Sequence, residues 1–295
     1  MGRATGVGAV RATAKAASLL RLVKFEHTVF ALPFALIAAL VCAGGLPNAW
    51  QLLFIVLACV SARTAAMACN RIVDRQLDAR NVRTRERELP TGKVALWEAQ
   101  ALLIAAAAVF VLSALALNEL CFWLSFPALA VLLGYSYSKR FTAWSHSILG
   151  LALGIAPVGA WLAIAGRFEL PPIVLAAGVI LWVAGFDIIY ATLDLDFDRR
   201  EGLHSAVRRL GVPRALRLTT VLHIGFIIAV LLFGRLAELG APYFVGAALA
   251  GALIVVEHAI VRPDDPGRIN AAFFTVNGVI SVGLLCATAI DIWVV

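Results

Sequence analysis

Apolar residues fall into blocks of roughly 20 along almost the whole chain, the length that crosses the ~30 Å hydrocarbon core of a bilayer as one helix. Inside lipid every backbone N–H and C=O needs an internal partner, so such blocks have two solutions, helices or a closed barrel. A barrel would need alternating segments of about 10 residues, and none is seen. Only 15% of the 295 residues are charged, where a soluble domain carries about a quarter. The expected fold is therefore all-α, a polytopic membrane bundle of about nine transmembrane helices. It forms a single integral-membrane domain over 1–295, with 1–16 as a flexible basic N-terminus.

The spans read from the sequence are about 18–44, 50–78, 95–116, 119–136, 143–165, 171–196, 214–234, 240–261 and 269–293. Turn chemistry separates them, as in "GGLPN", "LPTGK", "GRFELPP" and "RPDDPGR". The cations alternate with the loops. Arg80, Arg83, Arg85, Arg87 and Lys93 follow the second span, Lys139 and Arg140 the fourth, and Arg199, Arg200, Arg208 and Arg209 the sixth. The intervening loops hold only Arg167 and Arg235. By the positive-inside rule the N-terminus is cytoplasmic. The net charge of +7 then sits on one face, where it suits topology and anionic lipid headgroups and gives no reason to expect nucleic acid. The five cysteines form no CxxC and lie mostly in apolar runs, which suggests packing rather than disulfides or zinc.

Polar residues carry a repeat. In "NRIVDRQLD", Asn70, Asp74 and Asp78 stand four apart, and in "YATLDLDFD", Tyr190, Asp194 and Asp198 do the same, 120 residues later. Each triplet ends an even-numbered span and runs into an arginine-rich loop. Matched half-motifs of this kind suggest two related halves meeting around one site. Residues i and i+4 share a helix face. Asp74 and Asp78 are thus expected to point together, with Arg63 on the same face, and Asp194 and Asp198 likewise with Asp187. Asp196 falls on the opposite side.

Carboxylates clustered at a membrane repel one another and lose solvation. A hard divalent cation offsets both costs, and Mg²⁺ favours one or two carboxylates completed by phosphate oxygens and water. Two facing Asp pairs ringed by Arg and Lys would make a socket for metal plus a polyanion such as a diphosphate. The plainer reading is that charges at a span end are solvated caps.

"NRIVDRQLDARNVRTRERELPTG" resembles the NxxxDxxxD signature of the UbiA family of membrane prenyltransferases. "YATLDLDFDRREG" resembles the second signature, DxxxD with its preceding Tyr, and "YSYSKRFT" resembles the YxxxK segment, through Tyr135 and Lys139. The resemblance implies a polyprenyl diphosphate bound through Mg²⁺, with Asp74 and Asp78 on one ion, Asp194 and Asp198 on the other, and Asn70 in support. It makes Arg63, Lys139 and Arg140 candidates to neutralise the leaving diphosphate, the allylic group passing to an electron-rich aromatic ring. "FEHTVFALPFA" and "DFDRREGLHS" look most like bacterial quinone-pathway members, which implies the plasma (inner) membrane and an aromatic acid acceptor. Two acceptors stay open: 4-hydroxybenzoate and 1,4-dihydroxy-6-naphthoate, on ubiquinone and menaquinone routes.

Other residues carry paired expectations. Glu26 and His27 contact the acceptor or are interfacial polar residues. Asp187 and Tyr190 orient the acceptor or support the metal side of span six. His204 and Ser205 cover the diphosphate or open a helix in a solvated loop. His146, His223 and His258 have no matched partner and read as packing or interface. Asn277 reads as an interhelical hydrogen bond, and Pro33 as a kink in the first span. A cation or proton transporter using the Asp pairs would need ionisable residues spread through the membrane depth, whereas here they cluster at one end.

Overall fold

The computed structural model describes residues 15, 17–23, 30–262 and 265–294. Their regular structure is helical throughout, without a strand. In chain order the long elements are α1 (Leu32–Ala43), α2 (Ala49–Arg80), α3 (Leu96–Leu117), α4 (Glu119–Ser138), α5 (Ser145–Ala165), α6 (Leu170–Ala191), α7 (Val212–Leu236), α8 (Ala241–Ile260) and α9 (Pro266–Val294). Eight helices among the described residues are long and apolar enough to cross a membrane, and α1, with 12 residues, is shorter. Residues 17–23 are also helical, and the stretch that would complete the first expected span lies outside the described residues.

Local chemistry sets the boundaries. Asn48 caps α2 by accepting from the Gln51 N–H at 2.8 Å, and Asn118 caps α4 by accepting from Cys121 at 2.8 Å. Gly44 and Gly166 end α1 and α5 in the left-handed conformation that a Cβ disfavours. Pro33 sits in the first turn of α1, where its missing N–H costs no helical bond, so it starts this helix rather than kinking it. Asp291, near the end of α9, accepts from Gly240 and Tyr243 and so caps α8.

The bundle has two related halves. Helices α2 to α5 recur about 120 residues later as α6 to α9, and their packing recurs too: α2 on α3 as α6 on α7, and α4 on α5 as α8 on α9. Helices α5 and α6 join the halves, and α1 packs on both α5 and α9. Small residues allow the α5–α6 approach. A Cβ on Gly150 would meet the Ile180 carbonyl oxygen at 2.5 Å. Helix α6 is the most enclosed, with Trp182, Val183 and Phe186 buried, while Trp97, Ile104, Leu112 and Val255 face outward. In a bilayer that apolar exterior carries no penalty. The chain is an integral membrane protein.

Candidate active site

The C-terminal ends of α2, α4 and α6 meet at one end of the bundle, and the loops after them close over a cavity. Asn70, Asp74 and Asp78 line it from α2, Tyr135 from α4, Lys139 from just beyond α4, and Asp187, Tyr190, Asp194 and Asp198 from α6 and its extension. Arg140 stands behind Asp74. Arg63 is not part of the wall; it lies deeper along α2, where its charge reaches Tyr135. Glu26 and His27 lie outside the described residues.

The two motifs are not built alike. Asp74 and Asp78 ride one continuous helix and are 2% and 6% exposed. The second motif crosses a break: α6 ends at Ala191, a 3₁₀ turn spans Thr192–Asp194, and a short helix runs over Leu195–Glu201. The expected single face over Asp187, Asp194 and Asp198 is therefore re-aimed by the turn. All three still reach the cavity, where Asp194 and Asp198 are half-buried, and Asp196 is exposed.

Every carboxylate of the first motif is held by cations. Asp74 accepts from the Asn70 amide at 3.2 Å, Lys139 at 2.5 Å and Arg140 at 3.1 Å. Arg140 also donates to the carbonyls of Ser136 and Val73, which fixes its direction. Asp78 Oδ1 accepts from Arg87 at 2.7 Å, whereas its Oδ2 is buried and accepts no hydrogen bond. Burying a carboxylate oxygen without a partner is costly, so this atom is a natural donor to a further cation.

The loop after α2 locks the second motif. Arg83 forks onto Asp194, Nε to Oδ1 at 3.0 Å and Nη2 to Oδ2 at 2.5 Å. Asn81 adds a third hydrogen bond to Asp194 at 3.0 Å. Arg83 Nη1 donates to the Tyr190 hydroxyl at 3.1 Å, and its guanidinium lies 5.3 Å from that ring's centre. Burial pulls the Arg83 guanidinium down, but the hydrogen bonds and charge of Asp194 outweigh it and hold it above its usual value. Arg80 reaches Glu201 at 2.9 Å and ties the same two elements. Arg85 instead pairs with exposed Glu86 in solvent.

His146 corrects an expectation. It is 5% exposed and lines the cavity from the start of α5, with Nδ1 2.7 Å from Asp187 Oδ2. Its Nε2 accepts from the Ala206 N–H at 3.3 Å, which puts the ring proton on Nδ1, aimed at Asp187. His204 and Ser205 also line the cavity, anchored by the His204 N–H donating to the Lys139 carbonyl at 2.7 Å. Phe273, from α9, completes the wall, its ring centre 4.4 Å from that of Tyr190.

A motif search finds the aspartates and not their partners. Arg83 and Arg87 sit in an arginine-rich run whose topological use masks any other. His146 and Phe273 carry no repeat or spacing that links them to either motif. One helical turn along α4 from Tyr135, Val131 borders a second, almost wholly apolar cavity between α2, α3, α4 and α5. Cys59, Ile155, Gly159 and Phe168 also line it.

A family model described as the UbiA prenyltransferase family matches residues 31–279. The 4-hydroxybenzoate octaprenyltransferase of Haemophilus ducreyi is 30% identical over 275 residues, 93% of this chain and 99% of that protein. The enzyme of the same name from Xanthomonas euvesicatoria is 35% identical over 254 residues, covering 84% of this chain and 83% of its own. The apo structure of a UbiA homologue from Aeropyrum pernix superposes with a TM-score of 0.82 at 33% identity, over 90% of this chain and 98% of that one. A UbiA homologue from Archaeoglobus fulgidus bound to GPP and Mg²⁺ shares the fold, with a TM-score of 0.72 at 22% identity, over 93% and 99% of the two chains. With most of its length matched and both aspartate motifs around one cavity, the chain belongs to the UbiA prenyltransferase family.

Proposed function

We propose that this enzyme transfers a polyprenyl group from a polyprenyl diphosphate to an aromatic acid of the 4-hydroxybenzoate type, in quinone biosynthesis. The observation that carries the reading is the convergence of both aspartate motifs on one cavity at one end of a membrane bundle, beside an apolar cavity that suits an isoprenoid tail. The names of the H. ducreyi and X. euvesicatoria relatives support the acceptor class.

The donor set fits Mg²⁺. Five carboxylates line the cavity against four cationic side chains, Arg71, Arg83, Arg87 and Lys139, so an anion entering alone would meet no net positive charge. Among the described residues no three acidic, His or Cys side chains gather closely enough to enclose a metal. The ion would therefore need phosphate oxygens to complete its shell, as Mg²⁺ prefers. Asp74 and Asp78 would hold one such ion and Asp194 and Asp198 another, and bound there the ions would supply positive charge opposite the diphosphate.

The chain's own residues do the rest. Lys139, Arg83 and Arg87 now neutralise the aspartates, and a diphosphate with its cations would let them turn to phosphate oxygens. They would stabilise the charge that develops as the allylic C–O bond breaks and its electron pair leaves with diphosphate. The acceptor ring's carbon then bonds to the allylic carbon, and the ring loses a proton. Asp187, oriented by the His146 N–H, stands ready to take it. The aromatic faces of Tyr190 and Phe273 suit the acceptor ring.

The test uses membranes containing the protein, Mg²⁺ and a polyprenyl diphosphate, with 4-hydroxybenzoate and 1,4-dihydroxy-6-naphthoate offered in parallel. Prenylated 4-hydroxybenzoate is expected, falling about 10²-fold or more in Asp74→Ala and Asp194→Ala. Product from the naphthoate alone would reassign the acceptor. Product surviving both substitutions would overturn the aspartate site.

A further inference from the structure

Glu257 on α8 and Asn277 on α9 are wholly buried, outside the cavity. The Asn277 amide donates to Glu257 Oε1 at 2.8 Å and to the Ala272 carbonyl at 3.0 Å. His223 of α7 comes within 3.7 Å of Glu257 Oε2 and meets His258 of α8 at 3.0 Å. Three helices thus share a polar cluster inside an apolar bundle, where such groups are expensive and rarely incidental.

Two helices could be tied by the Glu257–Asn277 bond alone. The second Asn277 bond goes elsewhere, to a carbonyl inside a π-helical segment of α9, Ala271–Val276, which ends where Asn277 begins. A π segment widens the helix turn, weakens its regular bonding and re-aims the side chains it carries. Here it carries Phe273, which packs on Phe186 and Phe30 at 5.1 and 5.4 Å and on Tyr190 at 4.4 Å. Tyr190 in turn accepts from Arg83, the residue that forks onto Asp194.

We infer that Glu257 and Asn277 are positioning residues that pin the π segment of α9, seating Phe273 on Tyr190 as the wall that receives the aromatic acceptor. The acceptor half of this statement rests on the proposed prenyl transfer, and the pinning half does not. An apolar ring beside Tyr190 offers nothing to a diphosphate and a stacking face to an aromatic ring, so disturbance should appear in acceptor binding and spare the donor.

Two readouts test the two halves. Hydrogen exchange by mass spectrometry on the full chain in detergent reports the pinning without any activity. Asn277→Leu and Glu257→Ala should speed exchange over 271–277 by about tenfold or more relative to α3. Glu257→Gln, which keeps the accepting oxygen, should exchange as the wild type does. Steady-state kinetics report the wall. Phe273→Ala, Asn277→Leu and Glu257→Ala should each raise KM for the acceptor about tenfold and leave KM for the polyprenyl diphosphate unchanged, while Glu257→Gln should keep the wild-type acceptor KM. Unchanged exchange in Asn277→Leu overturns the pinning. Faster exchange with an unchanged acceptor KM overturns the link to the wall. If the wild type transfers no prenyl group, the proposed function fails while the exchange result still decides the pinning.

Discussion

Arg83 concentrates the site's electrostatics at the scale of one residue. It is supplied by the loop of the first half and grips the aspartate of the second, so one guanidinium couples both motifs. A planar fork with a third N–H on Tyr190 has a geometry that an ammonium cannot reproduce. Arg83→Ala should lower kcat/KM about 10²-fold, and Arg83→Lys should recover little of it, as measured with the polyprenyl diphosphate varied. The partnerless Asp78 Oδ2 leads to a second expectation. Chelation with EDTA should remove activity, and added Mg²⁺ should restore it. Asp78→Asn should raise the Mg²⁺ concentration for half-maximal rate about tenfold or more.

Among the elements, the contact between α5 and α6 limits how the halves fit. Gly150 leaves no room for a side chain, because its Cβ would fall 2.5 Å from the Ile180 carbonyl oxygen and backbone must shift. Gly150→Val should destabilise the bundle by about 1–3 kcal/mol, seen as a lower unfolding temperature in detergent. The span ends were legible because Asn48, Asn118, Gly44 and Gly166 carry their own cap chemistry. The break at Thr192–Asp194 was not, since "YATLDLDFD" contains no Gly or Pro to announce it. The π segment of α9 was equally silent: "AAFFTV" reads as ordinary helix, and the asparagine that follows it is bonded to a glutamate from another helix.

For the whole molecule, the proposed function assigns the diphosphate to the charged cavity and the isoprenoid tail to the apolar one. Gly159 lines the apolar cavity with nothing within 4 Å of where its Cβ would stand. Gly159→Phe should fill that space without straining the helix, shifting product toward shorter prenyl chains when donors of several lengths compete. Orientation belongs to this scale as well. The cation pattern predicts that the aspartate end faces the cytoplasm: a cysteine placed near Arg85 should then be labelled by an impermeant thiol reagent only in inverted vesicles, and one at Arg167 in intact cells.

The sequence by itself determined the membrane bundle, the approximate spans, the pseudo-repeat and the four aspartates. These rest on local signals: apolar length, capping residues, and an i, i+4 spacing that survives at an offset of 120. The tertiary structure decided which cations meet which carboxylates, that His146 serves Asp187, and that Phe273 closes the cavity on Tyr190. Most of those contacts join residues far apart in the chain, such as His146 with Asp187, 41 positions apart, and Arg83 with Asp194, 111 apart. No periodicity encodes such pairs. They follow from how twisted helices of two similar halves pack, which is a property of the whole chain.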